Sequence, residues 1–114
     1  MGKSFLQAIE NANLENSGFY YTLSLISGKY KMAVLYTLTI FEVVRFNELQ
    51  RFIKTISCKT LSATLKELEK EQLIIRTEYP QVPPKVEYRL SARGASLIPI
   101  LQSMCDWGEQ NRIL

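Results

Sequence analysis

The sequence contains no histidine and only two cysteines, Cys58 and Cys105. Without imidazole the chain lacks the commonest general base and a principal metal ligand. Two thiols with no CxxC spacing make neither a disulfide framework nor a good ligand set for a metal. A glycine-rich phosphate loop and a converging pair of carboxylates are missing as well. No enzymatic activity, no metal and no cofactor are therefore expected. No apolar run approaches the roughly 20 residues that a membrane-spanning helix requires. The N-terminal segment MGKSFLQAIENANLENSG lacks the apolar core of a signal peptide. These gaps point to a soluble protein in a reducing cytoplasm.

What is present fits one small domain over residues 1–114. The chain is 46% hydrophobic and 22% charged, a balance typical of a folded protein, and its net charge is only +3. The distribution of that charge is more telling. Between Arg45 and Lys66 the sequence reads RFNELQRFIKTISCKTLSATLK, with five basic residues (Arg45, Arg51, Lys54, Lys59 and Lys66) against one acid, Glu48. A concentrated surplus of this kind points to an anionic partner.

Two amphipathic patterns lie within this stretch. Asn47 is placed as the N-cap of a first helix through Leu49, Phe52 and Ile53. A polar elbow at Thr55-Ile56-Ser57 follows. Ser57 then caps a second helix running to about Gln72. Leu61, Leu65 and Leu68 fall within roughly 60° of one another on a helical wheel and form a core stripe. The opposite face carries Lys59, Ala63, Lys66 and Lys70, flanked by Thr60 and Ser62. Small, hydroxylated and basic side chains allow close approach to DNA without repelling phosphate. The pattern predicts a helix-turn-helix whose second helix enters the major groove.

The next segment strengthens that expectation. Residues 73–79 are β-rich, Pro80 to Pro84 is a stiff loop, and Lys85 to Leu90 alternates strictly, with Val86, Tyr88 and Leu90 on one side. A helix-turn-helix followed by a hairpin is a winged helix. The expected fold is thus α+β, mainly α, with a two-stranded β wing and extra N- and C-terminal helices for dimerisation. The wing tip from Gln81 to Lys85 would bring Pro84 and Lys85 to the DNA backbone or minor groove.

The flanking segments read as helices. Residues 4–14 place Phe5, Ala8, Ile9 and Ala12 on one face, which either packs on a partner or folds onto its own core. The apolar stretch from Phe19 to Phe41 breaks at Gly28, with Tyr30, Val34, Leu35 and Leu38 as core beneath the helix-turn-helix. Ser91 caps a final helix over 91–112 in which Pro99 lies too deep for a first turn, so a kink or break is expected near Ser96. Its apolar face is wider than a small core absorbs. Leu97, Leu101, Met104, Cys105 and Trp107, with Phe5 and Ile9, are the expected dimer interface.

Several of these residues in order, namely Gly28-Lys29-Tyr30-Lys31, Arg45-Phe46-Asn47-Glu48-Leu49, Ile56 to Ser62, Leu65 to Glu69, Val82 to Ser91 and Trp107-Gly108, together resemble the HxlR-type bacterial transcriptional regulators. The resemblance runs from about Thr22 to Gly108. It implies a winged-helix homodimer that binds palindromic operator DNA and dimerises through its terminal helices. It also implies, for many members, sensing of electrophiles, hypochlorite or disulfide stress through a cysteine just before the first conserved helix. The matching position here is Ser17, which cannot form a thiolate or a disulfide. Tyr30 stands where the family usually has tryptophan.

The expected function is a dimeric, sequence-specific regulator with double-stranded DNA as its partner. Thr60, Ser62 and Ala63 are the base readers and Lys59 is a candidate guanine contact. Arg45, Arg51, Lys54, Lys66 and Lys85 hold phosphates, with Ser57 and Pro84 beside them. Cys58 is a candidate redox residue, because the helix N-terminus and Lys59 surround it with positive potential. Cys105 is expected to be buried and inert. Two other readings stay open. In one, a small-molecule effector enters between Phe19, Tyr20, Tyr30 and the dimer helices. In the other, the winged helix serves protein contacts only.

Overall fold

The computed structural model describes residues 14–113. The expected helix over 4–14, with Phe5 and Ile9, lies outside the described residues. The chain begins with a 3-10 turn at Leu14–Asn16 and enters α1 (Gly18–Ile26). Ser17 caps α1. Its hydroxyl donates to the Leu14 carbonyl at 2.6 Å and accepts from the Tyr20 amide at 3.2 Å. Gly28 has φ +108°, a conformation that L side chains rarely adopt, and it separates α1 from α2 (Lys29–Phe41) where the sequence placed the break.

Val34, Leu35 and Leu38 of α2 are fully buried, and Tyr30 packs half-buried against them. β1 (Val44–Arg45) leads straight into α3 (Phe46–Phe52). The N-cap of α3 is Arg45, not Asn47. The Glu48 carboxylate reaches back to accept from the Arg45 amide at 2.9 Å, which moves the helix start two residues earlier. The elbow follows, with Ile53 and Ile56 buried as its apolar pins.

The second helix of the motif, α4 (Cys58–Lys70), is capped by Ser57 as expected, the Ser57 hydroxyl accepting from the Thr60 amide at 3.1 Å. It ends at Lys70 rather than Gln72. Gln72 takes a left-handed conformation with φ +63°. Two hydrogen bonds then close the helix, Leu73 N–H to the Leu68 carbonyl at 3.0 Å and Gln72 N–H to the Glu69 carbonyl at 2.9 Å. This is a Schellman ending, with buried Leu68 and Leu73 as its apolar contact.

The wing consists of β2 (Ile74–Tyr79) and β3 (Lys85–Leu90), antiparallel from Ile74 opposite Leu90 to Tyr79 opposite Lys85. β1 adds a third strand on the far edge of β3, with Val44 opposite Tyr88, so the sheet is three-stranded in the order β1-β3-β2. Two residues are too short to show a period in the sequence, and the pairing is non-local. The third strand ties the start of the helix-turn-helix to the wing.

Ser91 caps only a short helix, α5 (Ala92–Ala95), and the chain resumes as α6 (Ile98–Asn111). The expected break near Ser96 is present. Because of it, Pro99 falls in the first turn of α6, where its missing N–H leaves no bond unmade, and not deep inside one long helix. Among the described residues, no helix is long and apolar enough to cross a membrane.

Candidate nucleic-acid interface

The burial of α4 divides it cleanly. Leu61, Leu65 and Leu68 are 0–2% exposed and seat the helix on the core. Lys59, Ala63, Lys66 and Lys70 are exposed on its outer side, and Thr60 and Ser62 are half-buried on the flanks. The Ser57 hydroxyl donates to Thr60 Oγ1 at 3.0 Å. That bond fills an acceptor site of Thr60 and leaves its own proton free to donate outward. Arg45, Arg51, Lys54 and Ser57 are also exposed, around the β1–α3–elbow segment. None of Arg45, Arg51, Lys54, Lys59 and Lys66 takes part in an ion pair among the described residues. Their charge is therefore available to a partner.

Glu67 of α4 and Glu71, the residue that ends the helix, are drawn towards α2, whereas Glu69 stays beside Ser62 and Lys66. Lys31, a mostly buried residue of α2, places its ammonium 3.0 Å from Glu67 and 2.8 Å from Glu71. It also lies 3.4 Å from the Ser24 carbonyl. Burial alone would lower the Lys31 pKa, but the hydrogen bonds and charges of Glu71 and Glu67 outweigh it and hold it above the ordinary lysine value. The cluster clamps the C-terminal half of α4 to α1 and α2. Sequence reasoning missed it because Lys31 looks like one more surface lysine until α2 and α4 are packed together.

Between α4 and the wing runs an open cleft of about 410 Å³, lined by Phe46, Ser62, Leu65, Lys66, Glu69, Arg76 and Tyr88. Ser62 and Lys66 thus share a surface with Arg76 of β2, a basic residue the sequence analysis left out. Its guanidinium is held 2.9 Å from Glu78. The alternation Ile75-Arg76-Thr77-Glu78 was the available signal, but it does not say which side of the strand faces α4.

The wing tip, Pro80 to Pro84, is exposed, Pro84 included, and Val82 stands almost wholly in solvent. Lys85 is not a free tip cation. It is the first residue of β3, 3.3 Å from Glu87 and 5.0 Å from the Tyr79 ring centroid. These two neighbours orient its ammonium.

The residues expected at a dimer interface separate into two sets. Leu97 and Leu101 are buried in the chain's own core, because the break at Ser96 turns the start of α6 inward. Met104 is 49% exposed and Trp107 68%, beside a shallow apolar cleft of about 450 Å³ lined by Pro99, Ile100, Ser103, Met104 and Trp107. Cys105, expected to be buried, is exposed on the single chain. Cys58 is exposed too, in the first turn of α4, with its sulfur 3.0 Å from Gln50 Nε2. Ser17 has a structural task as the cap of α1. Phe19 and Tyr20 are exposed on α1, while Tyr30 lines a separate cleft against the elbow.

A helix with a buried leucine stripe and an open basic face, preceded by a short helix and elbow and followed by a hairpin, defines a winged helix-turn-helix. The HxlR-like helix-turn-helix family model matches residues 25–113, and the chain belongs to that family. An HTH-type transcriptional regulator of Halalkalibacterium halodurans is 53% identical over 100 residues, covering 88% of each chain. Among solved structures, the redox regulator HypR in its reduced form superposes with a TM-score of 0.80 at 43% identity, over 84% of this chain and 94% of that one. The reduced form of the transcriptional regulator YodB from Bacillus subtilis gives 0.73 at 31% identity, over 82% and 90%. The protein is a transcriptional regulator of the winged-helix type.

Proposed function

We propose that the protein acts in the cytoplasm as a symmetric dimer that sets α4 of each copy into the major groove of a palindromic or pseudo-palindromic operator. The observation that carries this reading is the outer face of α4: small or hydroxylated at Thr60, Ser62 and Ala63, basic at Lys59 and Lys66, and free of internal ion pairs among the described residues. Thr60, Ser62, Ala63 and Lys59 read bases. Arg45, Arg51, Lys54, Ser57, Lys66, Pro84 and Lys85 position the backbone. The exposed Met104–Trp107 face of α6, with Phe5 and Ile9, pairs the two copies. Two-fold symmetry then sets the half-sites about 34 Å apart, or a multiple of that.

Selection of bound duplexes from a random pool tests the proposal. Two inverted half-sites at that spacing are expected. Lys85→Ala should weaken binding to every sequence and reduce the magnitude of the log–log salt slope by about one. Thr60→Ala should instead change base preference. A protein whose DNA affinity barely responds to salt would be a winged helix used for protein contacts.

A second reading concerns regulation and is favoured by the exposed Cys58 sulfur at the start of α4. HypR is a redox regulator. Here Ser17 cannot supply a thiol, so Cys58 is the residue whose oxidation would put bulk or negative charge against DNA. Treatment with diamide or a quinone should weaken operator binding by the wild type and spare Cys58→Ser. Equal loss in both proteins removes Cys58 from the mechanism.

A further inference from the structure

We propose that the cleft between α2 and the helix-turn-helix elbow is an effector site for a small planar aromatic carboxylate. Its regulatory consequence rests on the function proposed above, but the binding itself does not. The cleft is open to solvent and measures about 350 Å³, and its lining includes Lys29, Tyr30, Tyr36, Phe52, Lys54 and Thr55. That volume suits a single-ring ligand. Tyr36 and Phe52 are each about half exposed, a large uncovered apolar area for one small surface. Phe52 also has an aromatic neighbour: it stacks on Phe41 with ring centroids 4.5 Å apart and planes 10° apart, which favours one orientation of its ring.

Charge selects the ligand's sign. Two lysines border the cleft and no acid lines it. Neither Lys29 nor Lys54 is in an ion pair among the described residues. Lys29 keeps its ammonium over the Tyr30 ring, 5.4 Å from the centroid, so positive charge and aromatic surface meet within the lining. A lining that combines aromatic side chains with two lysines complements a ring that carries a carboxylate.

Position gives the site its consequence. The Tyr30 hydroxyl donates to the Thr55 carbonyl at 3.3 Å, across from α2 to the elbow. Thr55 lies two residues before Ser57, the cap of α4. A ligand wedged against Tyr30 and Lys54 therefore bears on the backbone that sets where the reading helix starts.

Benzoate is the probe, titrated calorimetrically into the full chain without DNA, with benzamide and acetate as comparators. Saturable benzoate binding is expected, at least about fivefold tighter than either comparator. Lys29→Gln and Tyr36→Ala should each weaken it about fivefold, with folding checked by circular dichroism and operator affinity of the ligand-free variants unchanged. Benzoate should also shift operator affinity of the wild type. No saturable binding, as when a second copy covers the cleft, overturns the proposal. So does equal binding of benzamide, or benzoate binding intact in both variants. Binding that leaves operator affinity untouched overturns the effector role. Benzoate binding by a protein that binds no DNA would instead sink the function proposed above and leave the cleft standing.

Discussion

Gly94→Ala is expected to destabilise the protein by about 3 kcal/mol and to lower its melting temperature by roughly 10 °C. A Cβ on Gly94 would collide with the Leu73 carbonyl oxygen, and would stand 3.0 Å from the Leu73 carbonyl carbon and 3.3 Å from Leu90 Cδ2. The main obstacle is backbone, which cannot rotate away as a side chain can. Nor is Leu73 free to move. Its side chain is buried, its N–H is bonded to the Leu68 carbonyl at 3.0 Å, and its own carbonyl accepts from the Ser91 amide at 3.0 Å. Ser91 Oγ adds a bond to the Gln72 carbonyl at 2.6 Å. Gly94 thus allows α5 to sit directly on the junction of α4 and β2, and through that junction the reading helix and the wing are held together. Gly108→Ala in α6 is the matched control. Nothing lies within 4 Å of a Cβ there, so alanine should be neutral or stabilising by up to about 1 kcal/mol. Thermal unfolding followed by circular dichroism compares the two. A Gly94→Ala protein that melts with the wild type would mean that the α5 seat yields at little cost.

The parts of this architecture that were legible in the sequence are those with a local period. Leu61, Leu65 and Leu68 recur at helical spacing, and Val86, Tyr88 and Leu90 alternate, so the reading helix and one wing strand could be placed without knowing what they pack on. Gly28 and Ser57 likewise act within a turn of their own position. The corrections arise where a distant element decides. Arg45 displaces Asn47 as the cap of α3 because pairing of β1 with β3 already holds Arg45 extended and lets Glu48 reach its amide. Leu97 and Leu101 share a helical face with Met104, yet the chain turns at Ser96, and only the first two meet the core. Arg76 and Lys31 acquire meaning only from tertiary neighbours: Arg76 beside Lys66 across the cleft, Lys31 between Glu67 and Glu71. A single sequence carries no signal of those approaches.

Ala63→Glu should reduce operator affinity about a hundredfold or more while leaving the fold intact. Ala63 is exposed on α4 between Lys59 and Lys66, with its side chain on the face opposite the buried leucines. Its methyl group permits close approach to a base edge, and contact with a thymine methyl is within its chemistry. A glutamate there brings bulk and a carboxylate to a surface that, in the proposed complex, faces phosphates and the acceptor atoms of the major groove. The new charge would also draw Lys59 and Lys66, one turn away on either side, into local pairs and remove them from the DNA. Stability should change little, because glutamate is a good helix former at an exposed position and those same lysines offset its repulsion with Glu67. Ala63→Gln separates charge from size. It has nearly the same bulk, so the affinity difference between the two variants measures the electrostatic part, and that difference should shrink as salt is raised. Binding assays on the selected operator at two salt concentrations supply the measurement. If Ala63→Glu binds within about threefold of the wild type, the outer face of α4 does not enter the groove, and the DNA contact must be sought on the wing and elbow instead.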